Sequence, residues 1–195
     1  MNDVIKTILA RRSVRAFKDK QVKEEDLDTI LECASYAPSA MNTQNWHFTA
    51  LRDPAIIEKV NGWIVTEIKE SGNPNLEGIL ERADGKVFRN APCVIVVSTE
   101  KQDRFSVINA SAATQNMLLA ADSLGIGSCW IGTVGILGTS KRADEYASEL
   151  KIPKGYVPFF GVTLGYSAST GLEAPPRKEG VARVHETIPR VKSFS

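Results

Sequence analysis

Arg11-Arg12-Ser13-Val14-Arg15 gathers three guanidiniums and a hydroxyl within five residues, a donor set suited to phosphate. The planar guanidinium fork matches phosphate oxygens in pairs, and the serine hydroxyl adds a short donor. The same charges also suit a solvated helix end, where cations favour the C-terminal dipole. Further on, Ala37-Pro38-Ser39-Ala40-Met41-Asn42-Thr43-Gln44-Asn45-Trp46-His47-Phe48 sets small and amide side chains ahead of an apolar run. Asn42 and Gln44 carry both donors and acceptors, enough to read a heterocycle edge or sugar hydroxyls. Turn formation is their other use. Leu124-Gly125-Ile126-Gly127-Ser128-Cys129-Trp130-Ile131-Gly132 offers backbone amides on a tight chain, and Pro175-Pro176-Arg177-Lys178 adds a late basic pair. Gly125-x-Gly127 is not a dinucleotide fingerprint, because that turn runs from strand to helix and here the order is helix to strand.

The elements that must position these residues follow from periodicity. Val4, Ile5, Ile8 and Leu9 recur at helical spacing behind an Asn2 or Asp3 cap, and Leu27, Ile30, Leu31 and Ala34 mark a second helix with acids in its first turn, ended by Pro38. Phe48 to Leu51 reads as a short strand. Pro54 then opens a helix carrying Ile56, Ile57, Val60, Ile64 and Ile68. Ser71-Gly72-Asn73-Pro74-Asn75 breaks it, and the stretch to about Asp84 reads as a surface loop or a mobile lid. Cys93 to Val97 is continuously apolar and largely β-branched, as a central strand covered on both faces requires. A helix from Phe105 to Leu124 is rich in small residues, which serve either core packing or close approach by another helix. Gly125 fits the end of that helix. Strands are expected at Ile126–Ile131 and Tyr156–Tyr166, with a helix at about Ser140–Leu150 between them. The tail from Ser167 should wrap over a surface.

The whole chain bounds the function. Its 195 residues, 43% apolar, suit one domain over 1–195 with a sizeable core. A net charge of +1 from 24 basic and 23 acidic residues provides no global field for nucleic acid or an anionic membrane. No apolar run approaches the roughly 18 residues of a membrane span, and no signal peptide opens the sequence, so a cytoplasmic protein is expected. Cys33, Cys93 and Cys129 are scattered and odd in number, which disfavours a disulfide framework. His47 and His185 have no Cys, Asp or Glu partners at ligand spacing, so no metal is assigned. Trp46 and Trp130 read as core aromatics beside apolar strands.

Taken in order along the chain, the four motifs resemble those of the FMN-dependent nitroreductase family. The resemblance implies an α+β, nitroreductase-like fold: a central mixed, mainly antiparallel sheet flanked by helices, in an intertwined homodimer. It also implies FMN held at the subunit interface. Arg11, Arg12, Ser13 and Arg15, with Arg177 and Lys178, would contact the phosphate and ribityl chain. Ile131, Gly132 and Thr133 would face the flavin ring near N5 and O4. Pro38, Ser39, Ala40, Asn42 and Gln44 would reach a flavin held mainly by the other chain. The small-residue helix is then expected at the dimer interface.

The activity implied is a ping-pong cycle in which NADH or NADPH reduces the flavin and leaves before a nitroaromatic, quinone or enone acceptor takes its place. Other reactions on the same fold are flavin fragmentation, dehalogenation and dehydrogenation, and a non-catalytic flavin-binding sensor is a further alternative. No protein acid, base or thiol is expected to act, because the cofactor carries the chemistry. Two positions depart from the motif. Asn45 stands where many members have Pro before the Trp, and Ala40 replaces a frequent Ser. No counterpart to the family's contacts ahead of the second apolar strand is found between Ile79 and Asn90.

Overall fold

The computed structural model describes residues 1–101, 103–184 and 190–192; His185 lies outside them. Its frame is a four-stranded sheet in the order β1 (Trp46–Leu51), β2 (Cys93–Glu100), β4 (Tyr156–Gly165), β3 (Gly127–Ile131), every neighbouring pair antiparallel. The parallel element expected of a mixed sheet is confined to one bridge, where Ser13 lies beside Ser128 on the outer edge of β3. The architecture is α+β, with helices on both faces.

β2 explains why its run is unbroken by polar residues. Cys93, Ile95 and Val97 pack with α2 (Glu24–Ser35) and α5 (Ser106–Ser123), whereas Val94 and Val96 pack with α3 (Pro54–Ser71), α6 (Gly135–Thr139) and α7 (Ala143–Glu149). Successive side chains of a strand point to opposite faces, so two apolar layers favour an apolar residue at each of these five positions.

Local chemistry sets the helix ends. Asn2 caps α1 (Asp3–Ala10), its Oδ1 accepting from Ile5 N at 3.0 Å. Asp53 caps α3 at Ala55 N, with Pro54 in the first turn. At the end of α5, Gly125 takes φ +71°, and Ile126 N and Gly125 N return to the carbonyls of Ala121 and Asp122 at 2.8 and 3.0 Å.

Three expectations need correction. The stretch after Gly72 is not a loop: Asn73 Oδ1 accepts from Asn75 N at 3.0 Å and starts α4 (Pro74–Arg82). Helix α6 was not expected, because Gly135 and Gly138 weaken helices; a Cβ on Gly138 would lie 2.2 Å from Pro158 O, so close packing on β4 requires them. Ala110, Ala113 and Ala121 of α5 are fully buried within the chain against α2 and the sheet, whereas Ser111, Ala112 and Ala120 of the same helix stay half-buried. The tail runs exposed to Val181, as expected, but Ala182–Val184 (β5) and Arg190–Lys192 (β6) pair as an antiparallel ribbon.

Behind α6 lies a buried polar knot. Glu67, its side chain 11% exposed, accepts from Tyr146 OH and Ser140 Oγ, each at 2.7 Å, and from Arg142 Nε at 2.9 Å. Burial pushes the Glu67 carboxyl up, and these donors, led by Tyr146, outweigh it and hold it below the ordinary glutamate range. Burial and then Glu67 itself push the Tyr146 phenol up to about 12. A depressed folded pKa contributes stability above the unfolded value, about 4.3, that disappears as pH falls through the folded value. Glu67→Gln is therefore expected to cost about 1–2 kcal/mol at pH 7 and progressively less below pH ~4. Urea melts at several pH values check this; a cost independent of pH would refute it.

Candidate functional site

The Arg cluster is divided by the backbone that carries it. Helix α1 ends at Arg11, whose ψ of 132° turns the chain into an extended path along β3, with Val14 N donating to Ser128 O at 2.9 Å. Extended residues alternate faces, so Arg12 and Val14 part from Arg11, Ser13 and Arg15. Arg12 takes the helix-end role, its Nη1 donating to the carbonyls of Leu9 and Arg11 at 2.7 Å each. Arg11 Nη1 is buried without a hydrogen-bond partner, as is Arg12 Nε. Both guanidiniums act on Asp122: burial pushes its carboxyl up, and Arg11 and Arg12 pull it back.

Arg15 opens into a cleft of about 310 Å³ with Ile131, Gly132 and Thr133. The structure thus brings together residues far apart in sequence. β3 ends at Ile131, and Gly132–Val134 forms a single 3-10 turn leading into α6, so the amides of Gly132 and Thr133 stand at the start of a helical segment, where N–H groups lack intrahelical partners. A Cβ at Gly132 would meet nothing within 4 Å, so the chain itself leaves that side open. Gly127 serves packing: a Cβ there would lie 2.8 Å from a Val14 methyl.

The opposite wall was missed in the sequence. Leu76, Ile79 and Leu80 of α4, then Ala83 and Val87, line the cleft with Arg89. Arg89 adopts φ +55°, and its Nη1 donates to Arg82 O at 3.0 Å, which ties it to the end of α4. The signal was present: Asn-Pro is a cap followed by a first-turn proline, and positions 76, 79, 80 and 83 keep helical spacing. Trp130, read as core, packs edge-on against Phe160 with centroids 4.7 Å apart and also lines the cleft.

Arg177 and Lys178 lie elsewhere in the chain. With Pro175, Pro176 and Arg12 they line a separate cleft of about 1110 Å³ bounded by Ile8 and Leu9 of α1. The Pro38–Gln44 loop lines neither cleft. It is built as a 3-10 turn at Ala40–Asn42, with Met41, Asn42 and Gln44 left-handed at φ +53°, +56° and +47°. Ser39 Oγ accepts from Gln44 N at 3.1 Å, and the Gln44 amide donates to Asn42 Oδ1 at 3.0 Å. Asn42 and Gln44 are exposed, Ser39 and Ala40 half-buried. Asn45, the departure before Trp46, is only 2% exposed and donates to Ser106 Oγ at 3.1 Å and to the Asp103 carboxylate.

The three cysteines are free, and burial pushes the Cys93 thiol up to about 11. Among the described residues no cluster of three or more His, Cys, Asp or Glu is placed to hold a metal, and no helix is long and apolar enough to cross a membrane.

Comparison with known proteins gives a consistent result. The sequence profile of the nitroreductase family matches residues 8–166. A protein of Archaeoglobus fulgidus, provisionally named an NADH dehydrogenase/NAD(P)H nitroreductase, is 35% identical over 171 residues, which cover 85% of this chain and 86% of the relative. The crystal structure of an FMN-bound nitroreductase from Bacteroides fragilis superposes with a TM-score of 0.85 at 35% identity, over 95% of this chain and 100% of the other. An FMN-bound nitroreductase from Desulfitobacterium hafniense superposes at 0.86 with 29% identity and the same coverage.

Proposed function

This chain belongs to the nitroreductase family, and from that premise we propose that its 195 residues act as one FMN-binding domain, in a cytoplasmic homodimer, reducing nitroaromatic, quinone or enone-type acceptors with NADH or NADPH. The observation that supports this best is the convergence of Arg15 with the amides of Ile131–Thr133 on one cleft. The residues fit the cofactor. A buried, partnerless Arg11 nitrogen suits an anion, the open face of Gly132 admits a flat ring, and buried phosphate requires paired cations.

Arg11, Ser13 and Arg15 are assigned to the phosphate and ribityl chain, with Arg12, Arg177 and Lys178 supplying further positive charge from the tail side. Ile131, Gly132 and Thr133 offer donors to the ring. Pro38, Ser39, Ala40, Asn42 and Gln44 are assigned to the flavin of the other copy, which accounts for a loop that lines neither cleft of its own chain. When bound, FMN accepts hydride from the nicotinamide and delivers it to the acceptor. The chain's part is to bind, orient and exclude water, and the apolar α4 wall favours an apolar, planar acceptor over one that needs fixed polar donors. No side chain is assigned as acid, base or nucleophile.

Arg11→Ala is expected to weaken FMN binding by about 1.5–3 kcal/mol, the scale of a hydrogen bond to a charged group. Fluorescence quenching titrations of the flavin-free protein measure it. Equal affinity in wild type and variant would remove Arg11 from the site.

A further inference from the structure

We propose that Asn109 is a positioning residue, which with Asn45 holds the Ser39–Gln44 loop in the shape it presents to the cofactor; this rests on the assignment of that loop to flavin binding. Asn109 sits in the first turn of α5 and is 2% exposed. Its Oδ1 accepts from Ala40 N at 3.0 Å, and its Nδ2 donates to Thr43 Oγ1 at 3.2 Å and to Asn45 Oδ1 at 2.9 Å. One buried amide therefore uses its acceptor and both donors on the loop and the residue that ends it. Asn45 carries the chain onward to Ser106 and Asp103, and Ser106 Oγ donates to Glu100 O at 3.0 Å. The loop is thereby tied to the end of β2 and the start of α5, two elements that share the buried core beneath it.

Such ties matter because Met41, Asn42 and Gln44 are held left-handed. Non-glycine residues persist there only where the surroundings over-determine them. A loop fixed on folding binds without a further ordering cost, whereas a loose one meets that cost at the moment of binding. Asn109 is buried beneath the loop, while the exposed Asn42 and Gln44 face outward. It acts through the loop rather than on a ligand.

The test compares Asn109→Leu, which keeps side-chain volume, with Asn42→Ala, which removes an assigned contact. The readouts are FMN affinity, amide hydrogen exchange across residues 38–46 of the flavin-free protein, and melting temperature. Asn109→Leu is expected to speed exchange at Ala40 and Gln44 and to weaken FMN about tenfold or more, the loss of at least one buried hydrogen bond, while exchange in β2 and α5 holds. Asn109→Ser carries the same comparison if the Leu variant aggregates. Unchanged FMN affinity in the Asn109 variants, with Asn42→Ala weakened, overturns the positioning role and leaves the loop a cofactor contact. A rise in exchange throughout α5 and β2 overturns it too, in favour of a general structural role. If neither Asn42→Ala nor the Asn109 variants alter FMN affinity, the loop assignment falls and this inference with it.

Discussion

Gly132→Val is expected to fold normally and to lose most of its rate of flavin reduction. Nothing lies within 4 Å of the point a Cβ would occupy at Gly132, so the first side-chain carbon meets no neighbour in the folded protein. A β-branched side chain there would instead enter the cleft shared with Arg15 and Thr133, crowd a bound ring and displace the backbone donors beside it. Losing a positioned donor to developing charge costs on the order of 3 kcal/mol, or more than a hundredfold in rate. Anaerobic stopped-flow reduction by NADH and by NADPH, at matched FMN occupancy, measures this. Cys33→Ala, Cys93→Ala and Cys129→Ala serve as comparators. Each should keep hydride transfer, apart from packing losses at the buried Cys93 and Cys129. A Gly132→Val protein that reduces at the wild-type rate, beside a folded, flavin-loaded cysteine variant that does not, would replace the backbone-donor account with a thiol mechanism.

Breaking the proposed dimer is expected to be more drastic still, abolishing FMN binding. The amphipathic pattern of α1 predicts a buried stripe, yet Val4, Ile5, Ile8 and Leu9 are 65%, 45%, 51% and 59% exposed in the isolated chain. Burying what remains exposed would contribute about 1 kcal/mol or more for each, a large apolar face to leave in water. The proposed second copy would cover this face and lend its Ser39–Gln44 loop. Wild type is expected to sediment as a dimer at micromolar concentration, and Ile8→Glu with Leu9→Glu to yield a colourless monomer. A monomer that retains stoichiometric FMN would overturn the shared site.

What the sequence determined by itself are the features whose causes are local. The cap at Asn2, the helix start at Pro54, the helix stop at Gly125 and the doubly buried run at Cys93–Val97 rest on hydrogen bonds and side-chain directions that repeat within a few residues. Ile131, Gly132 and Thr133 enter through the resemblance of their motif to the nitroreductase family, not through any local energy, and only the fold makes Arg15 their neighbour, by laying the extended segment after α1 against β3. Tertiary structure decided the rest. Whether Arg12 caps a helix or lines a site depends on which side of an extended chain it occupies, and that side is set by the Val14–Ser128 bond. Whether the glycines of α6 forbid or permit a helix depends on how closely β4 approaches, and which alanines of α5 enter the core depends on where α2 docks. Asn109 and the loop it holds are 69 residues apart in sequence at Ala40, so no local pattern records their contact. Spacing and capping are energies of the nearby chain; the choice of neighbour across the sheet is an energy of the packed whole.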